Sequence, residues 1–299
     1  MIYTSGILPH LGALRFAGAD SVGFLQGQIT NDARRLAAGR PLLAASATNQ
    51  GRVLAVLHLL PHSGGIVAVL PRELLAPIQE RMRKFVLRAK LSIEDAGPGL
   101  AVAGHHGESG LRAAGLAVPD ESQAYAETAG IGVGRVASDP GRFWILGGPR
   151  QLAERGLGGE AAAAERIERD WRLADVRAGL AQIYAATSEQ FVPQMLNLDL
   201  VDGISFTKGC YTGQEIVART QHLGRIKRRL ARVALRDDGR RIGATVTLAD
   251  GRGGRLIEVQ STDGGAEGLA VLGVDADEGG AAQADATLLP LPYAVTGGA

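Results

Sequence analysis

The chain has 299 residues, with 32 Lys and Arg against 31 Asp and Glu and a formal net charge of +1. That length exceeds a single usual core and predicts two or three domains, while the near-neutral balance supplies no global field toward nucleic acid or membrane, so any such contact must be local. A single cysteine excludes an internal disulfide, and any Cys-rich zinc or iron–sulfur site held by this chain alone, and it fits a reducing cytoplasm. The opening MIYTSGILPHLGALRFAG lacks the positive n-region and long apolar core of a signal peptide, and no apolar run approaches about 18 residues. The expectation is a soluble cytoplasmic protein with no membrane partner.

In chain order, apolar alternation predicts a strand over 13–16 and a short helix over 20–25 capped by Asp20. Strands follow over 42–47, 53–60 and 66–70, with turns at Asn49-Gln50-Gly51 and Ser63-Gly64-Gly65. The period then changes: Leu74, Leu75, Ile78, Met82, Phe85 and Val86 recur at helical spacing, which predicts a helix within 71–90. Further strands are expected over 100–103, 131–136 and 142–146, and the longest helix over 159–179. After Gly224, short strands over 226–235, 245–248, 254–259 and 268–274 alternate with Asp/Gly turns, the texture of a small barrel or sandwich. Strands and helices mix without a regular β-α-β rhythm, so the fold class is α+β. The expected division is an α+β region over 1–224 and a β-barrel over 225–299.

Chemistry gathers in residues 206–219, FTKGCYTGQEIVAR, which hold the only cysteine, Cys210, two residues after Lys208, one of four lysines in the chain. Thr212 to Glu215 have the T-x-x-E spacing of a capping box, which predicts a helix starting at Thr212. Cys210 would then precede a helix N-terminus, where the dipole and the Lys208 charge favour a thiolate. The alternative is a small buried hydrophobe. His58 and His62, at i, i+4 but with Pro61 between them on a strand, do not read as a metal pair. Residues 130–134, GIGVG, lack dinucleotide-site spacing and read as a glycine-rich strand.

WRLADVRAGL at 171–180, QFVPQMLNLDLVDGISFTKGCYTGQEIVART at 190–220 and HLGRIKRRL at 222–230 together closely resemble the YgfZ-type folate-binding proteins, relatives of the glycine cleavage aminomethyltransferase (T-protein). AGADSVGFLQGQITND at 17–32 and LPLPY at 289–293 extend the likeness over nearly the whole chain, with little to match over 95–165. The resemblance implies a three-lobed ring of two interleaved α+β lobes and a C-terminal β-barrel around a channel for tetrahydrofolate. It also implies a part in maintaining iron–sulfur client enzymes and, through them, in transfer-RNA modification.

By the same resemblance Lys208 and Cys210 are the catalytic candidates. A folate carries two carboxylates and a planar pterin, so its site needs cations, flat faces and amides. The folate-binding candidates are Trp171, Tyr211, Gln26, Gln28, Asn31, Asp32, Gln194 and Asn197. Trp171 shares a helix face with Ile167 and Ala174 and reads equally as core. Tyr211 reads as a stacking ring or a loop closer. The Gln, Asn and Asp residues read as channel lining or as turn caps. A second family tryptophan near the N-terminus is replaced by Leu11. Arg177 stands where the aminomethyltransferase motif carries glutamate before Ala-Gly, which leans away from that activity and leaves it as an alternative. A third reading is a tRNA-binding module using Arg225, Lys227, Arg228, Arg229 and Arg232, against a solvated strand face.

Overall fold

A computed structural model describes residues 5–120, 124–136, 139–222, 224–236, 239–275 and 284–295. Residues 1–4 of the opening segment and Leu223 of HLGRIKRRL lie outside the described residues. Three five-stranded antiparallel sheets make up the β-structure, and helices pack on them without a β-α-β repeat, so the architecture is α+β.

The chain changes sheets at once. Strand β1 (Ser5–Ile7) and strand β2 (Leu11–Ala17) are separated by a three-residue turn yet pair with different partners. After β2 come two short helices, α1 (Ser21–Gln26) and α2 (Arg34–Ala37), then β3 (Leu42–Ala47), β4 (Val53–His62), β5 (Gly65–Pro71), helix α3 (Leu75–Arg83) and β6 (Ser92–Asp95). These strands order as β3-β4-β5-β2-β6. β3, β4 and β5 are buried along almost their whole length, which is why they read as continuous apolar runs rather than as alternation.

The next segment supplies β7 (Ala101–His106), α4 (Glu108–Ala113), β8 (Tyr125–Thr128), β9 (Ile131–Val136), β10 (Asp139–Gly147) and α5 (Pro149–Glu154). With β1 they order as β1-β7-β10-β9-β8. Helix α6 (Ala164–Ala178) follows, burying Ile167, Trp171, Val176 and Ala178. It stops at Gly179, whose φ of 66° is the left-handed C-cap that glycine adopts without strain. A Cβ there would also lie 2.7 Å from the Tyr293 hydroxyl oxygen, which donates to the Gly179 carbonyl at 2.8 Å.

Helix α7 (Gln214–His222) leads to β11 (Arg228–Leu235), β12 (Thr245–Thr247), β13 (Gly253–Thr262), β14 (Gly265–Gly273) and β15 (Ala286–Leu289), ordered β12-β13-β14-β11-β15. The sheet curls until its edges approach: the Asp285 amide donates to the Thr247 carbonyl at 3.1 Å, and its carboxylate accepts from the Thr247 amide at 2.8 Å. This half-barrel has its own apolar filling, including Val233, Val246, Leu256 and Leu272. A register shift between Leu256 and Glu258 marks a bulge in β13, and Glu258 is buried. Its carboxylate accepts from Arg172 at 2.8 and 3.1 Å and from the Tyr184 hydroxyl at 2.8 Å, so α6 is bolted to the barrel through one buried acid.

Candidate functional site

Residues 206–213 lie against the connection between α1 and β3. Lys208, 6% exposed, donates to the carbonyls of Gln26 (2.7 Å), Ile29 (2.7 Å) and Asn31 (2.8 Å). An ammonium has three donors, and all are committed. Its charge also sits 4.9 Å from the centre of the Tyr211 ring. Burial lowers Lys208 to about 8, with Asp32 pulling upward, and burial pushes Tyr211 up to about 12. Lys208 is thus also a clamp: its donors hold a loop from the far end of the sequence. Cys210 is exposed beside it.

The helix after the cysteine starts later than the T-x-x-E spacing predicts. Thr212 faces Gly27, whose carbonyl accepts its amide at 3.1 Å and its hydroxyl at 3.5 Å, so the hydroxyl does not cap. Gly213, at φ 83°, provides the first helical acceptor, and the Gln214 side chain reaches back to the Tyr211 amide at 3.2 Å. A Cβ on Gly213 would lie 2.4 Å from the Thr48 carbonyl, so the turn at 48–51 and the KGCYTG loop are in backbone contact.

The polar residues of 26–32 work mainly on backbone. Gln26 accepts from the Ala33 amide at 2.7 Å, and the Asn31 side-chain amide donates to Leu43 (2.9 Å) and Asp202 (2.6 Å) carbonyls. Gln28 is half-buried on the same loop. Asp32 pairs with Arg34 at 2.5 Å, which holds its carboxyl down to about 2. The structure thus brings Gln26, Gln28, Asn31 and Asp32 together with Lys208, Cys210 and Tyr211.

Gln194 and Asn197 belong to a different junction. The Gln194 amide donates to Val217 in α7 at 2.7 Å, and Asn197, at φ 56°, donates to Leu230 in β11 at 3.0 Å. Asp199 accepts both ends of the Arg229 guanidinium at 2.6 and 2.9 Å, and Arg229 is buried. Arg229 is therefore withdrawn from the basic cluster expected to meet tRNA: successive strand residues face opposite ways, and this one faces in. Arg232 is likewise paired, with Glu267 at 2.6 Å, and Arg225 with Asp275 at 3.1 Å.

Trp171 is 0% exposed, and its ring packs on protein: Trp144 at 4.7 Å between centroids, His106 edge-on at 6.4 Å and the Arg142 guanidinium at 4.6 Å. The expected ligand contact is not open to this ring, which fills core instead. The stack continues to His58, 4.7 Å from Trp144; burial, then Arg142, lowers that imidazole to about 3, so it is neutral. Arg142 is itself fully buried between Asp139 (2.7 Å) and Asp175 (2.8 Å). Among the described residues, no group of His, Cys, Asp and Glu is arranged to hold a metal ion.

The other face of α6 lines a cleft of about 930 Å³ between β10, α6 and the β13–β14 turn. Arg166, Arg169, Asp170, Leu173, Ala174 and Arg177 line it from the helix, His106 of β7 and Asp139 of β10 from the sheet, and Ser261 to Asp263 from the half-barrel. Arg166 and Arg169 are exposed; Arg169 pairs with Asp170 at 3.3 Å and Arg177 with Glu267 at 2.8 Å. None of residues 206–213 lines it, so the thiol and this cleft are separate features. Arg166 and Arg169 were missed as candidates, although positions 166, 169, 173 and 177 recur at helical spacing along one face. Three aspartates, Asp139, Asp170 and Asp263, share the lining with the three arginines, and among the described residues Arg166 is the cleft arginine with no ion-pair partner; with Leu173 and Ala174 it is the part of the lining that suits a ligand with a carboxylate and a flat apolar part.

No family model matches the chain. It is 31% identical over 301 residues to the tRNA-modifying protein YgfZ of Pectobacterium carotovorum, covering 93% of this chain and 88% of that one. The same-named proteins of Colwellia psychrerythraea and Yersinia pestis are 30% and 33% identical, over 75% and 71% of this chain and 69% and 65% of theirs. The fold matches the glycine cleavage system aminomethyltransferase T of Bartonella henselae with a TM-score of 0.69 at 16% identity, covering 91% of this chain and 80% of the other. No helix among the described residues is long and apolar enough to cross a membrane. On the length and level of the identity to these relatives, the chain belongs to the YgfZ family.

Proposed function

We propose that this chain binds tetrahydrofolate in the α6 cleft and supports iron–sulfur cluster assembly or repair in the cytoplasm, and through it the tRNA modification named in its relatives, without transferring an aminomethyl group. The observation that carries the reading is Arg177 in the cleft wall, a cation where the aminomethyltransferase motif has glutamate. Arg166, and Arg169 on exchanging its exposed pair with Asp170, answer the two carboxylates of the glutamate tail, and Leu173 and Ala174 lie under the flat part of the molecule. Tetrahydrofolate, when bound, supplies a reduced pterin able to carry one carbon. This chain's residues bind and orient it. Cys210, exposed on a loop that Lys208 fixes, meets the client; as one sulfur ligand it touches a cluster only where the client supplies the rest.

Tetrahydrofolate titrated against the protein is read by the fluorescence of Trp144 and Trp171, the only tryptophans. Saturable binding is expected, and no binding ends the reading. Cys210→Ala binds as tightly as wild type and fails to restore iron–sulfur enzyme activity in a deletion strain. The second reading, an aminomethyltransferase, is favoured by the shared fold; robust turnover of an aminomethyl-lipoyl carrier with tetrahydrofolate would install it instead.

A further inference from the structure

Residues 81–90 read RMRKFVLRAK: five cations, no acid, and two of the chain's four lysines in ten positions of a protein with net charge +1. Helix α3 ends at Arg83, and the chain leaves it in successive turns as an exposed ridge. Leu87 at the tip is 89% exposed and holds a φ of 43°, and Phe85 is 40% exposed. A leucine in the left-handed region costs on the order of 1 kcal/mol, and no burial of its side chain offsets that. The Arg81 guanidinium lies 5.5 Å from the Phe85 ring centre, making a flat cation-and-ring platform.

The ridge is anchored at both feet. Arg83 donates to the Ile93 carbonyl at 2.8 and 3.1 Å, and Asp20 accepts the Lys90 amide at 2.6 Å while its own amide donates to the Lys90 carbonyl at 3.3 Å. A Cβ on Gly18 would lie 2.3 Å from that carbonyl, so the packing there is backbone on backbone. Lys84, Arg88 and Lys90 are exposed along it; Lys84 pairs with the surface Glu80, and among the described residues Arg88 has no ion-pair partner.

We infer that this ridge is an RNA-binding surface, with Lys84, Arg88 and Lys90 taking phosphates and the Arg81–Phe85 platform stacking an unpaired base. The inference rests on the tRNA-modification part of the proposed function. RNA suits the ridge because it offers regularly spaced anions and flat faces together, and aromatic rings with stacked arginines are how unpaired bases are held. It also moves the RNA surface away from residues 225–232, where Arg225, Arg229 and Arg232 are already paired.

The test is fluorescence anisotropy of an unmodified tRNA transcript across a salt series, with folate binding and Tm read on the same samples. Wild type binds with a steep log–log salt slope. Lys84→Glu/Arg88→Glu/Lys90→Glu flattens that slope by about 0.7–0.9 for each phosphate no longer neutralised. Phe85→Ala weakens binding about tenfold with the slope unchanged. Arg228→Glu leaves tRNA binding as it is. Wild-type affinity in the triple variant, loss on Arg228→Glu instead, or capture of the ridge by an acidic protein or anionic vesicle with no tRNA binding would each overturn the inference. If wild type binds tetrahydrofolate and no tRNA, the ridge fails and the folate reading stands.

Discussion

Replacing Lys208 with Met separates a clamp from a catalytic cation. The substitution keeps the aliphatic stem and removes the ammonium, so the carbonyls of Gln26, Ile29 and Asn31 lose a partner together. An unmet buried acceptor costs about 1–3 kcal/mol, and the Gln26 carbonyl, being only partly buried, recovers some solvation. Against this, the variant no longer holds a charge in a site that lowers its pKa from 10.5 to about 8. The net expectation is ~3 kcal/mol of lost stability, which at roughly 2 °C per kcal/mol for a chain of this size lowers Tm by about 6 °C. Thermal unfolding measures it, with the alkylation rate of Cys210 followed in parallel. The clamp predicts a large fall in Tm. A Tm within about 1 °C of wild type combined with a much slower thiol would refute the clamp and return Lys208 to the role read from the motif.

Three further outcomes follow from named contacts. His58 is neutral because burial lowers it from 6.5 to about 3; between those values the unfolded chain binds a proton that the folded one does not, so stability is fully present above pH 6.5 and falls on acidification, by about 4 kcal/mol at pH 3. His58→Phe should flatten that arm of a stability–pH curve, and an unchanged curve contradicts it. Gly104→Ala would put a methyl 2.3 Å from the Trp171 ring, costing about 1–3 kcal/mol and altering tryptophan emission, whereas Gly23→Ala in α1 meets nothing within 4 Å and leaves Tm level or raised. Arg229→Met strands the Asp199 carboxylate, 6% exposed, at about 3 kcal/mol by denaturant titration. Adding Asp199→Leu restores most of it; no recovery would mean the pair is not the unit.

What the sequence made legible follows from where each partner sits. Strands β3, β4 and β5 announce themselves as apolar runs, and α6 ends where Gly179 places it, since burial and a left-handed cap are written in the residues concerned. Caps whose partners come from elsewhere were illegible. Asp20 looks like the cap of α1 and instead holds the Lys90 amide; Thr212 looks like the cap of α7 and faces Gly27, 185 positions away. The helix expected within 71–90 stops at Arg83 because its side chain is tied to Ile93 and the chain must turn. The KGC loop and the 26–32 loop were both visible as chemistry, but the clamp between them was not. Lys208 binds backbone carbonyls, which no residue letter advertises. The α6 cleft was hidden for the opposite reason, as arginines at helical spacing look like any solvated helix face until a second wall stands across from them.

The most direct measurement of the central claim is a calorimetric titration of tetrahydrofolate into wild type and into Arg166→Glu/Arg169→Glu, two exposed cleft residues whose reversal spares the Arg177–Glu267 pair. Saturable one-site binding to wild type and at least a tenfold loss in the variant are expected, with Tm lowered by no more than about 2 °C from loss of the exposed Arg169–Asp170 pair. Equal affinity in the two proteins would contradict it by showing that the ligand sits elsewhere.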